Sequence, residues 1–135
     1  MVKLIVGSKG SGKTKTLISM VNTAVDESKG AVVCLEKGDK LRYDIKYQAR
    51  LIDTSEFGIS GADLLYAFVC GIFASNNDIT HIFIDSAMKI CGNTPAGLEA
   101  FLEKASKIAE RCNFNLILTS SIDEGELTEK LRAYL

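Results

Sequence analysis

Little in this 135-residue chain interrupts it: there is one proline, Pro95, and the eleven glycines are spread thinly apart from three between residues 7 and 12. No Gly/Ser-rich or Pro-rich linker divides the sequence and no repeat runs through it, so a single domain over 1–135 is expected. Metal-ligand patterns are missing as well. The only histidine is His81, and the four cysteines, spaced 36, 21 and 21 residues apart, form no CxxC, which argues against zinc. Nor is there an excess of charge of one sign. Sixteen basic and seventeen acidic residues leave a formal charge of −1, so the overall field gives no reason to expect nucleic acid or an anionic membrane. The longest apolar run, Leu64 to Ala74, is shorter than the ~18 residues needed to cross a bilayer, so it reads as a well-buried helix and no membrane anchor is expected. The opening MVKLIVGSKG lacks a small-residue cleavage site, and with free thiols it points to a reducing, cytoplasmic location.

What is present is 47% apolar residues, arranged as short continuous runs alternating with stretches of helical period. That alternation predicts an α/β domain in which a mainly parallel sheet is covered on both faces, a three-layer α/β/α arrangement. Lys3 to Gly7, Ala31 to Glu36, His81 to Asp85 and Asn115 to Ser120 read as buried strands. Lys13 to about Glu27 reads as a helix with Leu17, Ile18, Val21, Ala24 and Val25 on one face. Ser60-Gly61-Ala62-Asp63 has the form of a helix N-terminus and opens a helix to about Ser75. Thr94 before Pro95 caps another, with Leu98, Phe101, Leu102, Ala105, Ile108 and Ala109 as its stripe, and Glu126 to Tyr134 reads as a short terminal helix. Between Leu41 and Leu51 the odd positions are apolar and the even ones polar. This is strand periodicity with one wet face, an edge strand or hairpin arm, with a short helix as the competing reading.

The octapeptide GSKGSGKT, Gly7 to Thr14, fits G-x-x-x-x-G-K-[ST] at every defined position and lies between a predicted strand and a predicted helix. Gly7, Gly10 and Gly12 are expected to take positive φ and let the backbone approach closely. The N–H groups from Gly7 through Ser8, Lys9, Gly10, Ser11 and Gly12 then converge on phosphate oxygens at a helix N-terminus. Lys13 reaches the outer phosphates as a mobile ammonium, and the Thr14 hydroxyl is placed to ligate Mg²⁺.

On these residues the sequence resembles the P-loop NTPases. The resemblance implies a second metal residue, the Walker B Asp at the end of a buried strand, and ITHIFIDS supplies Asp85. No N-K-x-D tetrapeptide of Ras-type GTPases occurs, and the lysine that ParA/MinD-type ATPases carry directly after the first glycine is Ser8 here. IFIDSAMKI followed by a helix and NFNLILTSS is similar instead to the RecA-like branch. That branch implies three things: the Asn115 to Ser120 strand lies between the P-loop strand and the Asp85 strand; Thr119 and Ser120 sit near the γ-phosphate; and Glu36, ending the strand after the P-loop helix, polarises the attacking water beside Lys13. Small-molecule kinases of the same superfamily would put the P-loop and Asp85 strands side by side.

The function so implied is binding of ATP or another nucleoside triphosphate with Mg²⁺ and slow hydrolysis, as a switch or assembly component working with a protein partner or a second copy. A non-hydrolysing nucleotide-binding module and a small-molecule kinase are the alternatives. The basic stretch Lys37, Lys40, Arg42, Lys46 and Arg50 reads as a charged edge-strand face, a flap over the triphosphate, or a contact for an acidic or nucleic-acid partner. His81 and the cysteines read as packing residues.

Overall fold

The computed structural model describes residues 1–135. Five parallel strands form one sheet: β1 (Val2–Gly7), β2 (Ala31–Glu36), β3 (Arg50–Asp53), β4 (Ile79–Ile84) and β5 (Asn115–Ser121). The helices are α1 (Lys13–Glu27), α2 (Ala62–Ser75), α3 (Ala87–Ile90), α4 (Pro95–Cys112) and α5 (Glu129–Arg132). Across the sheet the order is β1-β5-β4-β2-β3. β5 therefore lies between β1 and β4, where the resemblance placed it, with Leu4 opposite Leu118 on one side and Phe83 opposite Ile117 on the other.

Side chains alternate across a strand, so a buried parallel sheet needs apolar cover on both faces. Val33, Leu35, Ile82, Ile84, Leu116 and Leu118 point to one side, where Leu65 and Val69 of α2 and Phe101, Leu102 and Ala105 of α4 meet them. Val32, Cys34, Phe83 and Ile117 point to the other, against Leu17, Val21 and Ala24 of α1. The α4 stripe is buried as its period predicts, and its start is fixed by Thr94, whose hydroxyl accepts from the Gly97 amide, with Pro95 in the first turn.

Three expectations are corrected. Residues 41–49 form successive turns, with the Asp44 and Ile45 amides both donating to the Leu41 carbonyl; only Arg50–Asp53 is extended, as edge strand β3. The apolar positions here repeat every four residues in space: Leu41, Ile45 and Ala49 are buried on the α1 face, whereas Tyr43 and Tyr47 are 85% and 91% exposed. The segment covers the sheet where a crossover helix would lie, and Asn22 of α1 stitches it down by donating to the Asp44 carbonyl and accepting from the Lys46 amide. Second, α2 starts on Gly61 at φ 93° with no side-chain cap from Ser60, and only Leu65 and Val69 are fully buried; Leu64 is exposed because α2 has α4 and the sheet on one side only. Third, the terminal helix is confined to Glu129–Arg132, since the Thr128 hydroxyl caps it by accepting from the Leu131 amide.

Because all five strands run the same way, Gly7, Glu36, Ile84 and Ser121 end at one edge of the sheet. No helix is long and apolar enough to cross a membrane.

The four-residue burial pattern is open to test by urea unfolding. Ile45→Ala is expected to cost about 2–5 kcal/mol, and Tyr43→Ala or Tyr47→Ala no more than about 0.5 kcal/mol. Comparable losses at all three would restore the alternating-strand reading.

Candidate functional site

The Gly7–Thr14 loop joins β1 to α1 and closes on itself. Gly10 and Gly12 have φ of 84° and 90°, the left-handed region that glycine enters at no steric cost. Gly7 does not share that conformation, which corrects the expectation of positive φ at all three. It is small for another reason, since a Cβ there would collide with the Ser11 side chain. The Ser11 amide donates to the Ser8 carbonyl at 3.1 Å, and the Lys13 ammonium donates to the same carbonyl at 2.8 Å.

Asp85 stands just beyond β4, and the residue is only 8% exposed. A buried carboxylate needs donors, and two hydroxyls supply them. Thr14 Oγ1 donates to Asp85 Oδ1 at 3.2 Å, bringing together two residues 71 positions apart. Thr119 Oγ1 donates to the same oxygen at 2.8 Å and accepts from the Ser86 amide at 2.8 Å. Ser86 takes the left-handed conformation at φ 52°, turning the chain sharply out of the sheet. No group of three or more His, Cys, Asp or Glu side chains could hold a metal by itself. The Thr14 hydroxyl and Asp85 carboxylate are nonetheless hard oxygen donors that suit Mg²⁺, which binds through one or two protein oxygens, retained waters and substrate phosphates.

Glu36, at the end of β2, is 3% exposed. Its two oxygens accept from the Lys40 amide at 3.1 Å and the Leu41 amide at 3.0 Å. Burial pushes its pKa up, while the Leu41 and Lys40 amides pull the other way; Asp85 and Asp53 add to the rise. The next turn is tied from a second side, since Gly38, at φ 115°, donates its amide to Asp53 Oδ1 at 2.8 Å. Asp53 is held below the usual carboxylate range by the Ser55 hydroxyl and the Gly38 amide.

Between these elements lies a cavity of about 200 Å³, lined by five lysines, Lys9, Lys13, Lys37, Lys40 and Lys89, and two carboxylates, Glu36 and Asp85. Gly10, Thr14, Ser86 and Ser121 also face it. Of the residues expected at the site, the structure thus gathers Lys9, Gly10, Lys13, Thr14, Glu36 and Asp85. Gly7 and Ser8 line a separate depression beside Ile122 and Leu127. Thr119 is buried and reaches the cavity only through Asp85, and the Ser120 hydroxyl is buried with no partner, so the expected pair beside a terminal phosphate is replaced by Ser121. Strand alternation turns Ser120 to the face opposite Thr119 and Ser121, and of those two only Ser121, at the very end of β5, lines the cavity.

Sequence reasoning left Ser121 and Lys89 without a role. Lys89 had no motif to reveal it, while Ser121 could have been found by following β5 one residue further. The basic stretch divides: Lys37 and Lys40 line the cavity, Arg42 pairs with Asp39, and Lys46 pairs with Asp26. His81 lies within β4, away from the cavity, stacked on Phe83 with Nδ1 2.8 Å from the Thr80 hydroxyl. All four cysteines are free, and burial raises the pKa of Cys91 to about 12. No protein-family model matches this chain, and no curated protein matches it as a relative.

Two measurements test this geometry. Thr119→Val leaves the buried Asp85 carboxylate and the Ser86 amide short of a partner and is expected to cost about 1–3 kcal/mol in unfolding free energy. Ser120→Ala removes a hydroxyl that bonds nothing and is expected to change stability by no more than about 0.5 kcal/mol; the reverse ranking would overturn the assigned network. In a carbon-13 NMR titration the Glu36 carboxyl should titrate above the ordinary value of about 4.3. The sign follows from linkage: with the folded pKa raised, the stability Glu36 contributes is fully present below the unfolded pKa and is lost as pH rises through the folded one. A midpoint at or below the ordinary value would show that the amides outweigh burial.

Proposed function

We propose that this chain is a nucleotide-binding domain of the P-loop NTPase fold, RecA-like in strand order, that takes a nucleoside triphosphate with Mg²⁺ in the lysine-lined cavity. The observation that carries the reading is the Thr14–Asp85 hydrogen bond. It joins the two sequence motifs of a Mg²⁺-triphosphate site at the mouth of a loop whose lysine and glycines suit phosphate. The position of β5 between β1 and β4 supports the RecA-like branch and speaks against a small-molecule kinase.

On this reading the Gly10 to Thr14 backbone and the α1 N-terminus bind the inner phosphates. Lys13 leaves the Ser8 carbonyl to reach the outer ones, and Thr14 with Asp85 would hold Mg²⁺ against them. Hydrolysis then rests on positioning and charge, and it is slow in the isolated chain. The protein acts as a nucleotide-controlled switch or assembly component, cytoplasmic, with a protein partner or a second copy. A second reading, binding without turnover, is favoured by one observation: both Glu36 oxygens are already engaged by backbone amides, which weakens its claim as general base.

At a ligand concentration 100 times Kd, Mg²⁺-ATP or Mg²⁺-GTP should stabilise the fold by ~2.7 kcal/mol, raising Tm by roughly 8–13 °C. Lys13→Ala should remove most of that rise, and an unmoved wild-type melting curve with both nucleotides at millimolar concentration would refute the reading. Phosphate release separates the two versions: with Glu36 as base, Glu36→Gln lowers turnover about 100-fold or more while binding persists. Undetectable release from the wild type selects the non-hydrolysing module.

A further inference from the structure

Five lysines around one small cavity are more than the loop motif requires. Lys13 is hydrogen-bonded, but the ammonium groups of Lys9, Lys37, Lys40 and Lys89 make no hydrogen bond or ion pair with the protein, and with Glu36 and Asp85 the lining carries an excess of three positive charges. Two of the four stand on a backbone that is held in place. Glu36 accepts from the Lys40 and Leu41 amides, Asp53 accepts from the Gly38 amide, and the Leu41 side chain is buried against the α1 face of the sheet. A flexible ammonium on a fixed backbone turn is a pre-organised cation that lacks an anion, because the turn has already lost its freedom on folding.

The placement indicates which anion it awaits. On the triphosphate reading Thr14 and Asp85 would hold Mg²⁺ against the outer phosphates, so the terminal phosphate would lie toward Asp85. The strand beside β4 on the side away from β1 is β2, and the chain leaving β2 carries Lys37 and Lys40. We infer that Lys37 and Lys40, on the turn tied down by Glu36 and Asp53, bind the terminal phosphate and make the site selective for nucleoside triphosphate over diphosphate. This rests on the triphosphate reading above and adds to it the residues that tell the two nucleotide states apart. Glu36 then serves as a positioning residue, its carboxylate fixing the turn that carries the two lysines. Lys9 is on the loop that holds the inner phosphates, so its charge is shared by both nucleotides and gives no discrimination.

Calorimetric titration of the full chain with Mg²⁺-ATP and with Mg²⁺-ADP tests the assignment. The double variant Lys37→Ala/Lys40→Ala, at exposed positions outside any helix or strand, is expected to lose about tenfold or more in affinity for Mg²⁺-ATP and about threefold or less for Mg²⁺-ADP. Lys107→Ala/Lys130→Ala removes the same charge away from the cavity and should leave the ratio of the two affinities unchanged. If the wild type binds both nucleotides and the Lys37/Lys40 variant keeps the wild-type ratio, or loses both affinities equally, the lysine assignment is overturned and the triphosphate reading stands. If the wild type binds neither nucleotide, both fall.

Discussion

The buried Asp85 carboxylate is the constraint around which this edge of the sheet is arranged. At the end of β4 the residue is only 8% exposed, and a carboxyl so nearly buried needs hydrogen-bond donors at hand. Thr119 brings one from β5, and Thr14 brings the other from the first turn of α1. Each donor fixes a further element. Thr119 also accepts from the Ser86 amide, which holds the left-handed turn into α3, and Thr14 sets the first turn of α1 beside β4 and so fixes where the preceding loop opens. One charge thereby ties the strand order β1-β5-β4 to the position of the glycine-rich loop.

Glu36 plays a comparable part on the other side of the cavity. Its buried carboxylate is satisfied by two backbone amides of the following turn, and Asp53 secures the same turn through Gly38. The two amide hydrogen bonds offset the cost of burying the acid, and they order a loop that has no helix or strand to order it. The turns at residues 40–49 thus become a rigid cover, reinforced by Asn22 and by the Lys46–Asp26 ion pair, whose exposed geometry contributes little energy but restricts the segment further.

This division of labour leaves charge where a ligand can use it. Five lysines around one cavity repel one another, and they can remain close together because solvent or an anion screens them. Two carboxylates committed to hydrogen bonds do not neutralise that set. The lining is therefore net positive, and this excess charge together with the glycine-rich loop is what the proposed binding of a nucleotide's phosphate chain rests on.

Sequence by itself determined four of the five strands, β3 excepted, the helices α1 and α4 with their starts at Lys13 and Pro95, and the glycine-rich loop. These are local matters: period, caps and turn chemistry act within a few residues, and a buried parallel strand announces itself as an unbroken apolar run. The segment after Glu36 misleads because Leu41, Tyr43, Ile45 and Tyr47 alternate in sequence as a strand would. Only packing on α1 selects Leu41, Ile45 and Ala49 as the buried set and leaves the tyrosines in solvent. The roles of Thr119, Ser120 and Ser121 were likewise a tertiary matter, since strand pairing decides which of three adjacent hydroxyls meets Asp85, which is buried without a partner, and which faces the cavity. So was the gathering of Lys9, Lys37, Lys40 and Lys89. Charges far apart in a chain carry no local signal, and a parallel sheet collects them by ending all its strands at one edge.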